Sequence, residues 1–245
     1  MGTILSFFFP HPFGAPRTAP TPGGRPPRPP TTVILVSGPR GAGKDTAAEV
    51  LVRELFPGVS ERLALADAVR REYLALHPDL TMEDLTDRMR KEMHRAGIIA
   101  LSERQKREHG ADYWSRRLFE GRDSRGAAER PHHHHHHHNH VYVVSDWRFA
   151  EEYEYLVSHG FAVVALRVEA SREAREARGV VYNPAVDESH GERGLEGFPF
   201  DHVVHNDTQS PADLAAALRK ARIRVVEALE TSDPPATATA APART

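Results

Sequence analysis

The run Val33-Ile34-Leu35-Val36 leads directly into Ser37-Gly38-Pro39-Arg40-Gly41-Ala42-Gly43-Lys44-Asp45-Thr46. Four consecutive apolar residues predict a short strand buried on both faces. The glycines after it predict a tight loop, and a helix is expected from Lys44 to Leu55. Gly38 and Gly43-Lys44 satisfy G-x-x-x-x-G-K in the strand–loop–helix setting that this motif requires. Without side chains in the way, backbone N–H groups of Gly38, Gly41 and Gly43 can approach phosphate oxygens, and the helix N-terminus adds partial positive charge. Lys44 reaches the β- and γ-phosphates as a point charge. An ordinary glycine-rich turn before a helix would lack the buried strand, so the phosphate-loop reading is preferred.

Asp45 departs from the motif, which has Ser or Thr at that position. A carboxylate there suits a hydrated Mg²⁺, which keeps most of its waters and takes one or two carboxylate contacts. Thr46 still offers a hydroxyl to a phosphate. Asp146, at the end of the apolar run Val141 to Val144, is the second candidate Mg²⁺ carboxylate; its plainer alternative is a turn-forming Asp after a strand.

Further strands are expected at Arg62–Leu65, Val141–Val144, Ala162–Val168 and His202–His205. Helical patterns lie between them, at 66–76, 82–107, 112–120 and 150–159, and a closing helix is expected over 211–229. Alternation of this kind, with continuous apolar strands, predicts an α/β fold of three layers, a central parallel sheet covered on both faces. Residues 1–30, rich in Pro and Gly, predict a disordered leader; residues 232–245 predict a similar tail, so one domain over about 31–231 is expected. A low-complexity loop at about 122–140 carries seven consecutive histidines, His132 to His138. Nothing in the sequence orients them as a designed metal site.

Composition narrows the chemistry. There is no cysteine among the 245 residues, which excludes disulfides, zinc–thiolate sites and thiol nucleophiles. The net charge of −2 gives no general attraction to nucleic acid or to anionic membranes, and no apolar run is long enough to span a bilayer. Gly2 and Ser6 fit a loose acylation pattern that chance often matches. A monomer in the cytosol is the default expectation.

Only four of the 32 basic residues are lysine; the rest are arginine, whose planar fork grips phosphate oxygens in pairs. Many lie at the ends of predicted elements, among them Arg40, Arg70, Arg95, Arg107, Arg116, Arg148, Arg175 and Arg178, with Lys91 beside one cluster. Any one of them could be part of a solvated helix face. Taken together they suit an acceptor that is itself a phosphate. Such an acceptor needs no general base, because its attacking oxygen is already anionic. Its difficulty is the approach of two polyanions, which cations from several elements relieve.

Several motifs then resemble those of the animal-type phosphomevalonate kinases, a branch of the nucleoside-monophosphate-kinase-like P-loop fold. They are Gly43-Lys44-Asp45, Lys91-Glu92-Met93-His94-Arg95, Glu103 to Arg107 with Asp112 to Arg116, Val144-Ser145-Asp146-Trp147-Arg148, Arg175-Glu176-Ala177-Arg178-Gly179, Pro184 with Val186-Asp187-Glu188 and Gly194-Leu195-Glu196, and Asp201 to Asn206. The resemblance implies ATP with Mg²⁺ as cofactors and a small phosphorylated substrate, 5-phosphomevalonate. It implies that Lys44 and Arg40 serve ATP and the transferring phosphoryl group. It places Lys91, Arg95, Arg107, Arg116 and Arg148 on the acceptor side, with Arg175 and Arg178 closing from a mobile lid. Arg148 is expected at the reaction centre as well, and Arg70 is a further acceptor-side candidate. The chain differs from the family pattern at Pro39, Gly41 and Phe149, where the family carries basic residues. Deoxynucleoside monophosphate kinases share several of these motifs, so that activity remains an alternative, as does a non-catalytic nucleotide-binding role.

Overall fold

The computed structural model describes residues 31–87, 90–122, 140–208 and 210–223. The leader, residues 123–139 with the histidine run, and the tail lie outside the described residues.

Strand β1 (Thr32–Ser37) is the centre of a five-stranded sheet. It pairs in parallel with β3 (Val141–Val144) on one side and β4 (Ala162–Glu169) on the other. Strand β2 (Ser60–Leu63) lies outside β3, and β5 (His202–His205) lies outside β4, both parallel. The order is β2-β3-β1-β4-β5. Leu35 lies opposite both Val144 and Ala165. Because every strand is parallel, the loops after β1, β3, β4 and β5 all leave the same edge of the sheet, where α/β folds place their ligands.

The uninterrupted apolar run of β1 has a direct cause. Val33 and Leu35 face one core and Ile34 and Val36 face the other, and all four are buried. The first core is completed by α2 (Leu65–Leu76), α5 (Tyr113–Phe119) and α6 (Ala150–Ser158), through Val69, Trp114, Leu118 and Leu156. The second is completed by α1 (Lys44–Val50), which runs on through a wider π-type turn at Leu51–Leu55, and by α10 (Pro211–Lys220), through Ala47, Leu51, Leu214 and Leu218. A smaller cluster, Tyr73, Leu85 and Leu101, joins α2 to α3 (Met82–Thr86) and α4 (Arg90–His109). After β4 come three short helices: α7 (Arg172–Ala177), α8 (Pro184–Asp187) and α9 (His190–Arg193). Among the described residues no helix is long and apolar enough to cross a membrane.

Three expectations need adjustment. Strand β2 ends at Leu63, two residues early, because Leu65 already opens α2 and donates its N–H to Asp146. The single helix expected over 82–107 is two. Asp87 leaves helical geometry (φ −57°, ψ 138°), and its carboxylate accepts from Arg90 N at 2.9 Å, which starts α4 afresh. An N-cap placed mid-run in this way overrides continuous helical spacing. The closing helix stops at Lys220 rather than running to 229; residues beyond 223 lie outside the described set.

Candidate active site

The loop between β1 and α1 gathers the site. Gly38 has φ +144°, and a Cβ there would come within 2.0 Å of the Val168 carbonyl oxygen on β4. Gly43, at φ +99°, has Asn206 Nδ2 where a Cβ would stand, at 2.4 Å. That buried Asn206 side chain, just past β5, donates to Ala42 O at 2.7 Å. The glycines therefore permit close packing of the loop on β4 and β5, as well as leaving its amides open to a ligand.

Lys44 folds back over the loop, with Nζ donating to Gly38 O at 2.7 Å and to Pro39 O at 3.0 Å. Burial lowers its pKa to about 8, and the positive charge of Arg148 nearby acts in the same direction. Asp45, in the first turn of α1, is exposed and forms an ion pair with Arg62 of β2. Arg62 also donates to Ser145 Oγ, from Nε at 3.3 Å and from Nη2 at 3.2 Å, so it ties the start of α1 to the end of β3. Asp146 accepts from Leu65 N at 2.7 Å and from Ala66 N at 2.8 Å, which caps α2. Burial raises its pKa, and these two amide hydrogen bonds oppose the rise.

The segment after α7 meets this loop through two carboxylates. Arg40 donates to Asp187 from Nε at 3.2 Å and from Nη2 at 2.9 Å, a bidentate pair, and Nη2 also donates to Val181 O at 2.6 Å. The hydrogen bond to Arg40 holds the Asp187 carboxyl below the usual range. Glu192, on α9, accepts from the backbone N–H of Arg40 at 3.2 Å. Its other oxygen accepts from Arg148 Nη1, which also donates to Gly191 O at 3.2 Å.

Arg178 is committed to carbonyls. Nη1 donates to Gly41 O at 2.9 Å, and Nη2 donates to Asn206 O and Thr208 O. Arg175 Nη1 reaches Arg40 O at 3.5 Å, while its Nε is buried without a partner. Both arginines therefore brace the phosphate loop in this structure. Arg172, on the same short helix, turns away to Glu176 and the Tyr182 ring.

The acceptor-side candidates are more dispersed. Arg70 pairs with Asp67 at 2.6 Å, and Arg95 pairs with Glu92 at 3.1 Å. Arg116 is held by His109 O and by Asp112. Lys91 is half-buried and Arg107 is exposed. Among the described residues, no hydrogen bond or ion pair joins these five to the loop. Lys106, one residue before Arg107, faces inward: its Nζ lies 4.4 Å from the centre of the Phe149 ring. Sequence spacing alone could not decide between Lys106 and Arg107.

Sequence reasoning also missed Arg62, Glu192 and Glu152. Glu152 is buried and accepts from Arg148 N at 3.0 Å and Phe149 N at 3.1 Å. Burial raises its pKa to about 7. The spacing of Phe149 and Glu152 at the start of α6 was the available signal, an N-terminal Glu three residues beyond the cap position. Glu192 carried no comparable sign.

The family model described as phosphomevalonate kinase matches residues 36–161. That span holds the phosphate loop, Arg62, Lys106 and the Asp146–Arg148 turn, and stops before α7 and Glu192. Among solved structures, an APS kinase from Mycobacterium tuberculosis in complex with AMPPNP and APS is 16% identical, with a TM-score of 0.38; the match covers 79% of this chain and 98% of that one. A sugar kinase from Janibacter sp. HTCC2649 is 17% identical, with a TM-score of 0.40, over 78% of this chain and 94% of that one.

Proposed function

The chain belongs to the phosphomevalonate kinase family, and from that premise we propose how its residues divide the work of transfer. It is a phosphotransferase with a phosphate group as acceptor, acting on phosphomevalonate. The proposal adds that the β1–α1 loop holds ATP, with Lys44 on its β- and γ-phosphates and the amides of Gly41 and Gly43 beside them. An oxygen of the acceptor's phosphate attacks the γ-phosphorus, the bond from that phosphorus to the β–γ bridging oxygen breaks, and ADP leaves with the electron pair. The products are ADP and 5-diphosphomevalonate. No proton has to be removed from the attacking oxygen, so no general base is required.

One observation supports this reading above the others. Arg148, from the end of β3, and the amide of Arg40, from the phosphate loop, converge on a single anionic group, with Lys44 alongside. Hydrogen-bond donors of the two sides meet where two anions would have to meet. Arg40 adds a charge held by Asp187, Lys106 stands behind Phe149, and Glu152 fixes the backbone that carries Arg148.

The residues fit a Mg²⁺ ion. Among the described residues no cluster of three or more His, Asp or Glu side chains forms an all-protein cage. An ion bound mainly by phosphates and water needs no such cage and takes one or two carboxylates. Asp45 and Asp146 would hold it through its waters, with the Thr46 hydroxyl on a phosphate, and it would offset charge on the phosphates. A monomeric, cytosolic enzyme completes the proposal.

ADP release should be measured with ATP and Mg²⁺ against 5-phosphomevalonate, the deoxynucleoside monophosphates and dephospho-coenzyme A. Turnover with 5-phosphomevalonate alone is expected. Turnover with a nucleotide instead would overturn the acceptor assignment. Lys44→Met should lower kcat at least about a hundred-fold with an unchanged circular-dichroism spectrum; wild-type turnover in that variant would sink the loop mechanism.

A further inference from the structure

Glu192 has no part in the reaction as proposed, yet it stands at the centre of the site. Its side chain is only 9% exposed. One oxygen accepts from Arg40 N and the other from Arg148, and its negative charge favours the charged form of Lys44. A carboxylate and a phosphate present the same kind of acceptor edge to an amide and a guanidinium. We propose that Glu192 occupies the position of a substrate phosphate and that the substrate must displace it, so that this residue sets the minimum charge an acceptor must bring. This inference rests on the proposed phosphotransfer site.

The carrier suits displacement. Glu192 lies on α9, four residues long, and the preceding α8 is equally short. Such helices contribute few internal hydrogen bonds to hold a fixed position. The segment is anchored just downstream. Leu195 is buried in the first core, and a Cβ at Gly194 would lie 2.5 Å from Arg148 O. Glu192 is therefore tethered next to Arg148 without being packed into the core. Upstream, Asp187 holds the side chain of Arg40 while Glu192 holds its amide, so a single segment neutralises cations that would otherwise repel one another. A phosphate carries close to two negative charges near neutral pH and a carboxylate carries one. A phosphorylated acceptor therefore competes well for these donors, and a monoanionic one competes poorly.

The test is calorimetric titration of the full chain with inorganic pyrophosphate, in wild type, Glu192→Gln and Glu192→Asp. Glutamine keeps the shape and the contact with Arg40 N but removes the competing charge. Pyrophosphate should bind Glu192→Gln about ten-fold more tightly than wild type, the scale of one relinquished charge-assisted hydrogen bond. Glu192→Asp should stay near wild type. The KM for 5-phosphomevalonate should fall in Glu192→Gln. Equal or weaker pyrophosphate binding in Glu192→Gln, or none in either protein, would overturn the proposal. A fall in kcat restored by Glu192→Asp, with pyrophosphate affinity unchanged, would make Glu192 a positioning residue for Arg148 and overturn it equally. Tighter pyrophosphate binding without turnover of 5-phosphomevalonate would leave this inference standing and remove only the acceptor assignment.

Discussion

Lys44 and Glu152 are two buried charges whose titration can be followed. With its pKa lowered to about 8 by burial, Lys44 loses its proton as pH rises through that value. The unfolded chain keeps the proton until about pH 10.5. The penalty for burying the charge is therefore fully present below pH 8, and stability from this group rises between pH 8 and 10.5. Affinity for ATP should move the other way, falling as pH rises above 8 in a fluorescence or calorimetric titration of the free enzyme. For Glu152 the folded pKa of about 7 lies above the ordinary 4.5. Below pH 4.5 the group contributes nothing; as pH rises to 7 the unfolded state ionises first, and stability falls by an amount on the order of 3 kcal/mol. Glu152→Gln, whose amide oxygen can still accept from Arg148 N and Phe149 N, should raise the Tm at pH 8 and leave it unchanged near pH 4. Equal Tm values at pH 8 would show that this charge costs nothing.

At the scale of elements, the bracing of the phosphate loop is the testable feature. Asn206→Ala removes the buried hydrogen bond to Ala42 O and leaves that carbonyl unpaired, which should destabilise the fold by about 1–3 kcal/mol and weaken nucleotide binding. Denaturant unfolding with a parallel ATP titration checks both. Leu218→Ala empties a fully buried position between α10 and the sheet and should cost about 2–5 kcal/mol without changing KM. The strands, the loop and most helices were legible in the sequence because their signals are local: a run of apolar residues, a glycine spacing, a cap. The break at Asp87 was equally local but was masked by helical spacing on both sides of it. The partners of Arg40, Arg148 and Arg178 lie far away along the chain, 147 residues in the case of Arg40 and Asp187, and no spacing rule spans that separation. The lid arginines show the limit most clearly. Arg175 and Arg178 reach carbonyls of the phosphate loop 135 and 137 residues away, whereas Arg172 pairs with Glu176 four residues on.

At the scale of the molecule, the sheet order places the candidate site between two groups of elements. The nucleotide side, β1, β4, β5, α1, α7 and α10, converges on the phosphate loop. The acceptor side, α2 to α5, hangs from β2 and β3. The β1–β3 ladder and the apolar core beneath it join the two, and at the site itself polar side-chain contacts bridge them: Arg62 to Asp45, and Glu192 between Arg40 and Arg148. Arg62→Ala should therefore raise KM for both substrates more than it lowers the Tm, since an exposed ion pair is worth at most about 1 kcal/mol. An equal fall in kcat with unchanged KM would contradict that account.

The contact between Gly38 and β4 has a mechanical corollary. With the Val168 carbonyl only 2.0 Å from where a first side-chain carbon would sit, the loop and the strand feeding α7 have no clearance to slide past one another. Gly38→Ala should accordingly cost more than about 2 kcal/mol. A hinge cannot be sited at that joint. Whatever opens to admit ATP must move elsewhere, and the loop floor stays still beneath it.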